Sequence, residues 1–360
     1  MALFSRLGWT SPSPTPPHSP SPTRSSSPAR QQRFVSSRPS TPSRTVTFAE
    51  APSFAQDNPY VRTGYRRELR SWKSCIYSVV GYTHNETVNI WSHLVASAFA
   101  FLVLGVGGFG LLSRLQGDDW WQGIGSVKRG RIGYRALWTA VYPFPSAEHP
   151  SVSHQDTFLF GLLFAGGALC FAFSAVFHTA LAHSHEVVAR TRRLDYLGIF
   201  LLGNACFLTN FYYGFHCDPH LQHFYTGLMT AGTGVGIFVV VLSDEYQTHD
   251  YRRLRAAVFV AVGMIAVFPF GHALIRYGWD ESSKTMSFHW IALESLCYLL
   301  GALFYAERCP EIFSSTGRFD LLGSSHQLFH ILAVMGFMAQ YAGASEAFRY
   351  VHGEWGAVCV

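Results

Sequence analysis

The sequence predicts an all-α integral membrane protein, a bundle of seven transmembrane helices with a cytosolic N-terminus and a disordered N-terminal tail. Apolar residues make up 49% of the chain and charged residues 14%, against about 25% charge in ordinary soluble domains. Hydropathy resolves seven apolar stretches, each about long enough for one helical crossing. The first 58 residues are another material, dominated by Ser, Pro, Thr and Arg.

Residues 1–58 hold too few apolar side chains to offset the entropy of ordering them, so they read as a disordered cytosolic tail. Met1-Ala-Leu-Phe runs into Ser-Pro repeats and not into a continuous apolar core, so no signal peptide is expected. Ser-Pro and Thr-Pro pairs begin at Ser11, Ser13, Thr15, Ser19, Ser21, Ser27 and Thr41, which suits proline-directed phosphorylation and a plain solvated spacer equally.

Residues 59–88 form a juxtamembrane segment. Leu69, Trp72, Ile76, Val79 and Val80 recur at helical spacing opposite Arg66, Arg67, Arg70 and Lys73, as a helix lying on an anionic leaflet requires. The membrane domain, 89–350, carries its crossings at about 89–113, 156–180, 195–215, 221–243, 255–275, 286–306 and 326–345, and 351–360 is a short C-terminal tail. With the N-terminus inside, 19 of the 27 Lys and Arg fall in cytosolic segments, which favours that orientation. The basic cluster Lys128, Arg129, Arg131 and Arg135 in the first outside loop pulls mildly the other way.

Parity gives a check independent of charge. His178 ends the second crossing, Asp195 begins the third, and His326 and His330 begin the seventh, so all four meet on one side of the bilayer. Ionisable side chains there need partners and mark functional sites. His326 and His330, four apart, lie one above the other on a helix face and can chelate one ion, with His178 completing a three-nitrogen set. Histidines used only for packing are the plain alternative. Neutral imidazoles favour zinc, with copper, nickel and iron permitted by residue type.

These residues sit in longer motifs: His84-Asn-Glu-Thr-Val-Asn-Ile-Trp-Ser-His93-Leu, Ser174-Ala-Val-Phe-His178-Thr, Leu194-Asp195-Tyr-Leu-Gly-Ile, Gly317-Arg-Phe-Asp320, Ser325-His326-Gln-Leu-Phe-His330 and Phe348-Arg-Tyr350. Through them the chain resembles, from about Tyr65 to Tyr350, the progestin and AdipoQ receptor family of adiponectin receptors, fungal zinc-responsive membrane proteins and bacterial hemolysin III-like proteins. The resemblance implies seven helices, a cytosolic N-terminus and a zinc near the cytosolic side held by His178, His326 and His330. The family's motif Asp falls on Asp195 and its motif Ser on Ser174, while His84 and His93 match without an assigned role. The resemblance also implies ceramidase-type hydrolysis of a membrane lipid amide, releasing fatty acid and sphingoid base.

Three histidines leave one zinc position open, the mark of a catalytic site. Asp195 can then orient or deprotonate water and later protonate the leaving amine. Ser174 can donate to a tetrahedral oxyanion or merely bond its own helix backbone. A second reading makes the zinc structural, with Asp195 as fourth ligand and the protein a receptor for an extracellular ligand or a regulator of zinc homeostasis. Zinc transport is a third, resting on Glu294 in the sixth crossing and His272 in the fifth. His216, Cys217, His220 and His223 read as a polar loop, and His183 and His185 as solvated residues beyond a helix end. Seven cysteines without a CxxC pair argue against a disulfide framework. A net charge of +5 suits a membrane surface better than nucleic acid. The location is the plasma membrane or an endomembrane such as the ER or vacuole, and the oligomeric state is left open.

Overall fold

Apolar runs become helices in this chain because a backbone in hydrocarbon must satisfy its own N–H and C=O groups. The computed structural model describes residues 43–115 and 152–353, with the backbone alone over 106–115. A short antiparallel pair, β1 (Thr45–Val46) and β2 (Tyr65–Arg66), precedes helices α1 (Trp72–Gly81), α2 (Thr87–Leu115), α3 (His154–Ala180), α4 (His185–Gly214) and α5 (Pro219–Ile237). A π-turn over Phe238–Leu242 extends α5, and α6 (Arg252–Met264), α7 (Val267–Thr285), α8 (Phe288–Glu307) and α9 (Ser325–His352) follow. Among the described residues seven segments are long and apolar enough to cross a membrane, with α6 and α7 together forming one of them.

Helix α3 is the hub. Its Phe160, Leu163, Phe164, Ala168 and Phe171 are buried against Ala96 and Ala100 of α2, Leu202 and Cys206 of α4, and Phe337 of α9. A Cβ at Gly198 of α4 would lie 2.7 Å from the Cα of Cys170, so the α3–α4 hairpin closes at that point because the residue is glycine. Polar clasps join other helices: Ser97 donates to the Ala168 carbonyl at 2.9 Å, and the Asn210 and Gln340 amides pair at 3.0 and 3.2 Å.

Several expectations shift. Helix α4 begins at His185, not near 195, so Asp195 lies well inside it and His185 is helical. Hydropathy detects the apolar part of a helix only, and the polar first turns are held by Arg192 donating to the Gln247 carbonyl at 2.9 Å and by an Arg193–Asp244 pair. The segment expected at 255–275 breaks at Ile265–Ala266, with Pro269 in the first turn of α7, where its missing N–H costs little.

Residues 43–58, expected within the disordered tail, are folded. Val46, Ala51, Val61 and Tyr65 form a small core of their own. Asn58 donates to Glu311 at 2.8 Å, Asp57 pairs with Arg252, and the Arg62 and Thr63 amides donate to Asp320 at 2.9 and 3.0 Å. These long-range polar bonds supply order that local composition does not reveal. Arg66, expected on the juxtamembrane helix, is instead a buried β2 residue. The apolar face of α1 does point outward at Trp72, Ile76 and Val80, as a helix on a membrane surface requires.

Cys217 is disulfide-bonded, against the expectation, while Cys75, Cys170, Cys206, Cys297 and Cys309 are free. The expected tail over 1–42, the basic cluster at Lys128, Arg129, Arg131 and Arg135, and the C-terminal residues from 354 on lie outside the described residues.

Candidate metal centre

The site begins at the N-terminus of α2, where His84-Asn-Glu-Thr makes a cap. The Thr87 hydroxyl accepts from the His84 backbone N–H at 2.9 Å, and the His84 ring Nδ1 accepts from the Glu86 N–H at 3.2 Å. Burial first, then the nearby charge of Arg66, pulls the His84 ring down to about 3, so it is neutral and keeps the lone pair this cap uses. The Glu86 side chain is thereby aimed inward. It accepts from His178 Nδ1 at 2.7 Å, Asn89 at 2.7 Å and Asn85 at 3.2 Å. Burial alone would raise this carboxyl, but the hydrogen bond and electrostatic pull of His178, followed by the hydrogen bond from Asn89, outweigh it and hold it at about 2.

His178 comes from the last turn of α3, and His326 and His330 from the first turns of α9. Each helix end is fixed by a buried charge. The Arg66 guanidinium receives the last α3 carbonyls, donating to His178 O at 2.5 Å and Thr179 O at 3.2 Å, as a cation at a helix C-terminus should. Glu311, 1% exposed, accepts the Ser325 N–H at 2.7 Å and also bonds the Ser325 hydroxyl, placing an anion at the start of α9.

Each of His178, His326 and His330 offers a ring nitrogen, and these three atoms all lie within 4.8 Å of one another. The hydrogen bonds set the tautomers of two. A carboxylate and a carbonyl can only accept, so His178 Nδ1 donates to Glu86 and His330 Nδ1 donates to the Asn89 carbonyl at 3.1 Å. Both Nε2 atoms are left with lone pairs. His326 Nε2 stands 3.1 Å from His178 Nε2, and its Nδ1 is buried without a hydrogen-bond partner. His93 stacks on His330 with ring centroids 3.7 Å apart and 9° between planes, and donates from Nε2 to the His330 carbonyl at 3.3 Å.

Three ring nitrogens, two of them oriented by acceptors behind the ring, are the donor set that suits zinc and related ions. An orphaned nitrogen on the third ring fits the same purpose. Because the carboxylate behind His178 sets ring orientation and basicity, Glu86→Gln is expected to weaken metal affinity about 10–100-fold while the protein still folds. A zinc titration against a competing chelator measures it, and an unchanged affinity would remove Glu86 from the site.

Asp195 reaches the same place from α4. Gly198 presses α4 onto Cys170, so one turn nearer the α3–α4 connection Asp195 and Ser174 are neighbours across the two helices. Asp195 is not among the three clustered ligand groups. All five residues line a cavity of about 480 Å³ whose walls are mainly apolar, including Phe259, Val262, Phe270 and Ile291. That volume is within the range of small-ligand sites.

The other candidates do not join. His216 bonds the Tyr213 carbonyl at 2.9 Å, His223 the Pro219 carbonyl at 2.6 Å, and His272 the Tyr225 hydroxyl at 2.7 Å. Glu86, Asn89 and Arg66 were not foreseen as site residues. The signal for Glu86 lay in the motif, an acidic residue in a cap facing the membrane, but nothing local ties it to a histidine 92 positions away.

Fold and site together define a seven-crossing membrane protein with a buried three-histidine centre able to hold a metal ion. The model of the haemolysin-III related family matches residues 82–341, and the chain belongs to that family. It is adiponectin receptor-like: it is 34% identical over 304 residues to the Progestin and adipoQ receptor-like protein 1 of Caenorhabditis elegans, covering 84% of this chain and 61% of that one. It is 34% identical to the Adiponectin receptor protein of Drosophila melanogaster, covering 84% and 59%. The chain thus spans about three fifths of the length of these two relatives. With the ADIPOR-like receptor IZH2 of Saccharomyces cerevisiae it shares 28% identity over 86% of both chains.

Proposed function

We propose that this protein is a zinc-dependent intramembrane hydrolase of lipid amides, ceramidase-type, cleaving its substrate into fatty acid and sphingoid base. The observation that carries the reading is the opening of the triad, with Asp195 and Ser174 beside it, onto an apolar cavity inside the helix bundle. Bound zinc would supply Lewis acidity toward the scissile carbonyl and acidify water. The chain's residues do the rest. Asp195 accepts the proton of the attacking water and returns it to the amine as the C–N bond breaks, while Ser174 donates to the developing oxyanion. The apolar walls hold the acyl chain.

A structural zinc in a receptor requires Asp195 as fourth ligand, and its place outside the clustered ligand atoms weighs against that. The receptor names of the relatives support a signalling role, which released lipids and an extracellular ligand can both serve.

Two features support a cytosolic N-terminus and an outer C-terminus in the plasma membrane or an endomembrane. One is the distribution of Lys and Arg. The other is the bonded Cys217, just past the end of α4 opposite the triad, since disulfides persist on the oxidising side.

The test is fatty-acid release from ceramides by purified protein, followed by mass spectrometry. Release is expected to stop on chelation and return with zinc. Zinc-loaded protein that releases nothing from ceramides of several acyl lengths would give the site to the receptor reading.

A further inference from the structure

Glu294 stands in the middle of α8, 7% exposed, on the wall of the apolar cavity. A carboxyl at such a depth is costly and marks function unless the bundle satisfies it. Here the bundle does so poorly. Among the described residues it makes no hydrogen bond or ion pair, and the Cys206 thiol, a weak hydrogen-bonding group, is its polar neighbour. One turn along α8, Tyr298 lines the same cavity, its hydroxyl buried and, among the described residues, without a hydrogen-bond partner. The nearby amides of Asn210 and Gln340 satisfy each other and leave these two groups unanswered.

The depth is fixed by packing. A Cβ at Gly336 would strike the Tyr298 ring, and one at Gly343 would meet Trp290, so Glu294 lies level with the stretch of α9 between those glycines. That is two to three turns beyond His330, or about 14 Å along the helix axis at the α-helical rise. A lipid whose carbonyl lies at the triad would bring a carbon well along its chain to Glu294.

We infer that Glu294 and Tyr298 form a recognition station for a hydroxyl group carried part-way along the hydrocarbon chain of the lipid. The chemistry matches at both ends: the lipid O–H donates to the Glu294 carboxyl, and its oxygen accepts from the Tyr298 O–H. An unsubstituted chain leaves both groups unpaired. The inference rests on the lipid-cavity reading above and adds the substrate class, hydroxylated long-chain lipids.

Ricinoleic and oleic acids, which differ by one hydroxyl in the distal half of the chain, provide the test. Each is used to displace the fluorescent fatty acid cis-parinaric acid from the purified full-length protein. Ricinoleic acid is expected to compete about tenfold better than oleic acid on the wild type. That ratio should fall to near one in Glu294→Leu and Tyr298→Phe, with oleic acid competing as before. Glu294→Gln, which keeps a hydrogen-bonding head, should retain part of the preference. Equal competition on the wild type, or a preference that survives both Glu294→Leu and Tyr298→Phe, overturns the inference and leaves the lipid cavity standing. Failure of both acids to displace the probe overturns the cavity reading with it. Should Glu294→Leu not fold, the near-isosteric Tyr298→Phe carries the same comparison.

Discussion

His326→Ala is expected to abolish the proposed zinc binding and the proposed amide hydrolysis together, with zinc falling from one ion per chain to background and fatty-acid release dropping at least about a thousandfold. The expectation follows from where the nitrogens point. His178 and His330 have Nδ1 committed to Glu86 and to the Asn89 carbonyl, so each has only Nε2 to give, and His326 offers the third nitrogen. Two nitrogens without it make a weak site. The substitution should leave the bundle intact, because among the described residues His326 Nδ1 has no hydrogen-bond partner and the ring's one hydrogen bond is to His178. Metal analysis, product release and helical circular dichroism on the same preparation check all three statements. A folded variant that retains stoichiometric zinc would take His326 out of the centre.

Much of this was legible in the sequence because two of the rules are strict. Hydrocarbon demands long apolar helices, and parity then decides which helix ends share a side, so the meeting of His178, Asp195, His326 and His330 follows without knowledge of packing. What was not legible depends on contacts between distant segments. Glu86 is only one residue of the His84–His93 motif until the α2 terminus is seen against α3, where its carboxylate orients His178. Arg66 reads as one more basic residue of an amphipathic helix until the β1–β2 pair turns it inward onto the His178 carbonyl. Residues 43–58 read as tail because Ser, Pro, Thr and Arg dominate the first 58 residues, yet Asn58 and Asp57 find polar partners in Glu311 and Arg252. The start of α4 was misplaced for a related reason, since its polar first turns are held by loop carbonyls and by Asp244, not by hydrocarbon.

Asp195→Asn separates the proposed chemistry from the metal itself: zinc content is expected to stay at the wild-type level while turnover falls by about 10²–10⁴-fold, the usual worth of a positioned general base. Asn keeps the shape and can still hydrogen-bond Ser174, so the α3–α4 contact set by Gly198 need not change. It cannot take a proton from water or hand one to an amine. Because a water or an added base can substitute in part, the loss should be smaller than for His326→Ala, and turnover should recover with rising pH as hydroxide replaces the missing base. The opposite pattern carries its own meaning. Should zinc leave with the carboxylate, Asp195 is a ligand, the coordination is closed, and the centre holds the helices together in a receptor without hydrolysing a lipid.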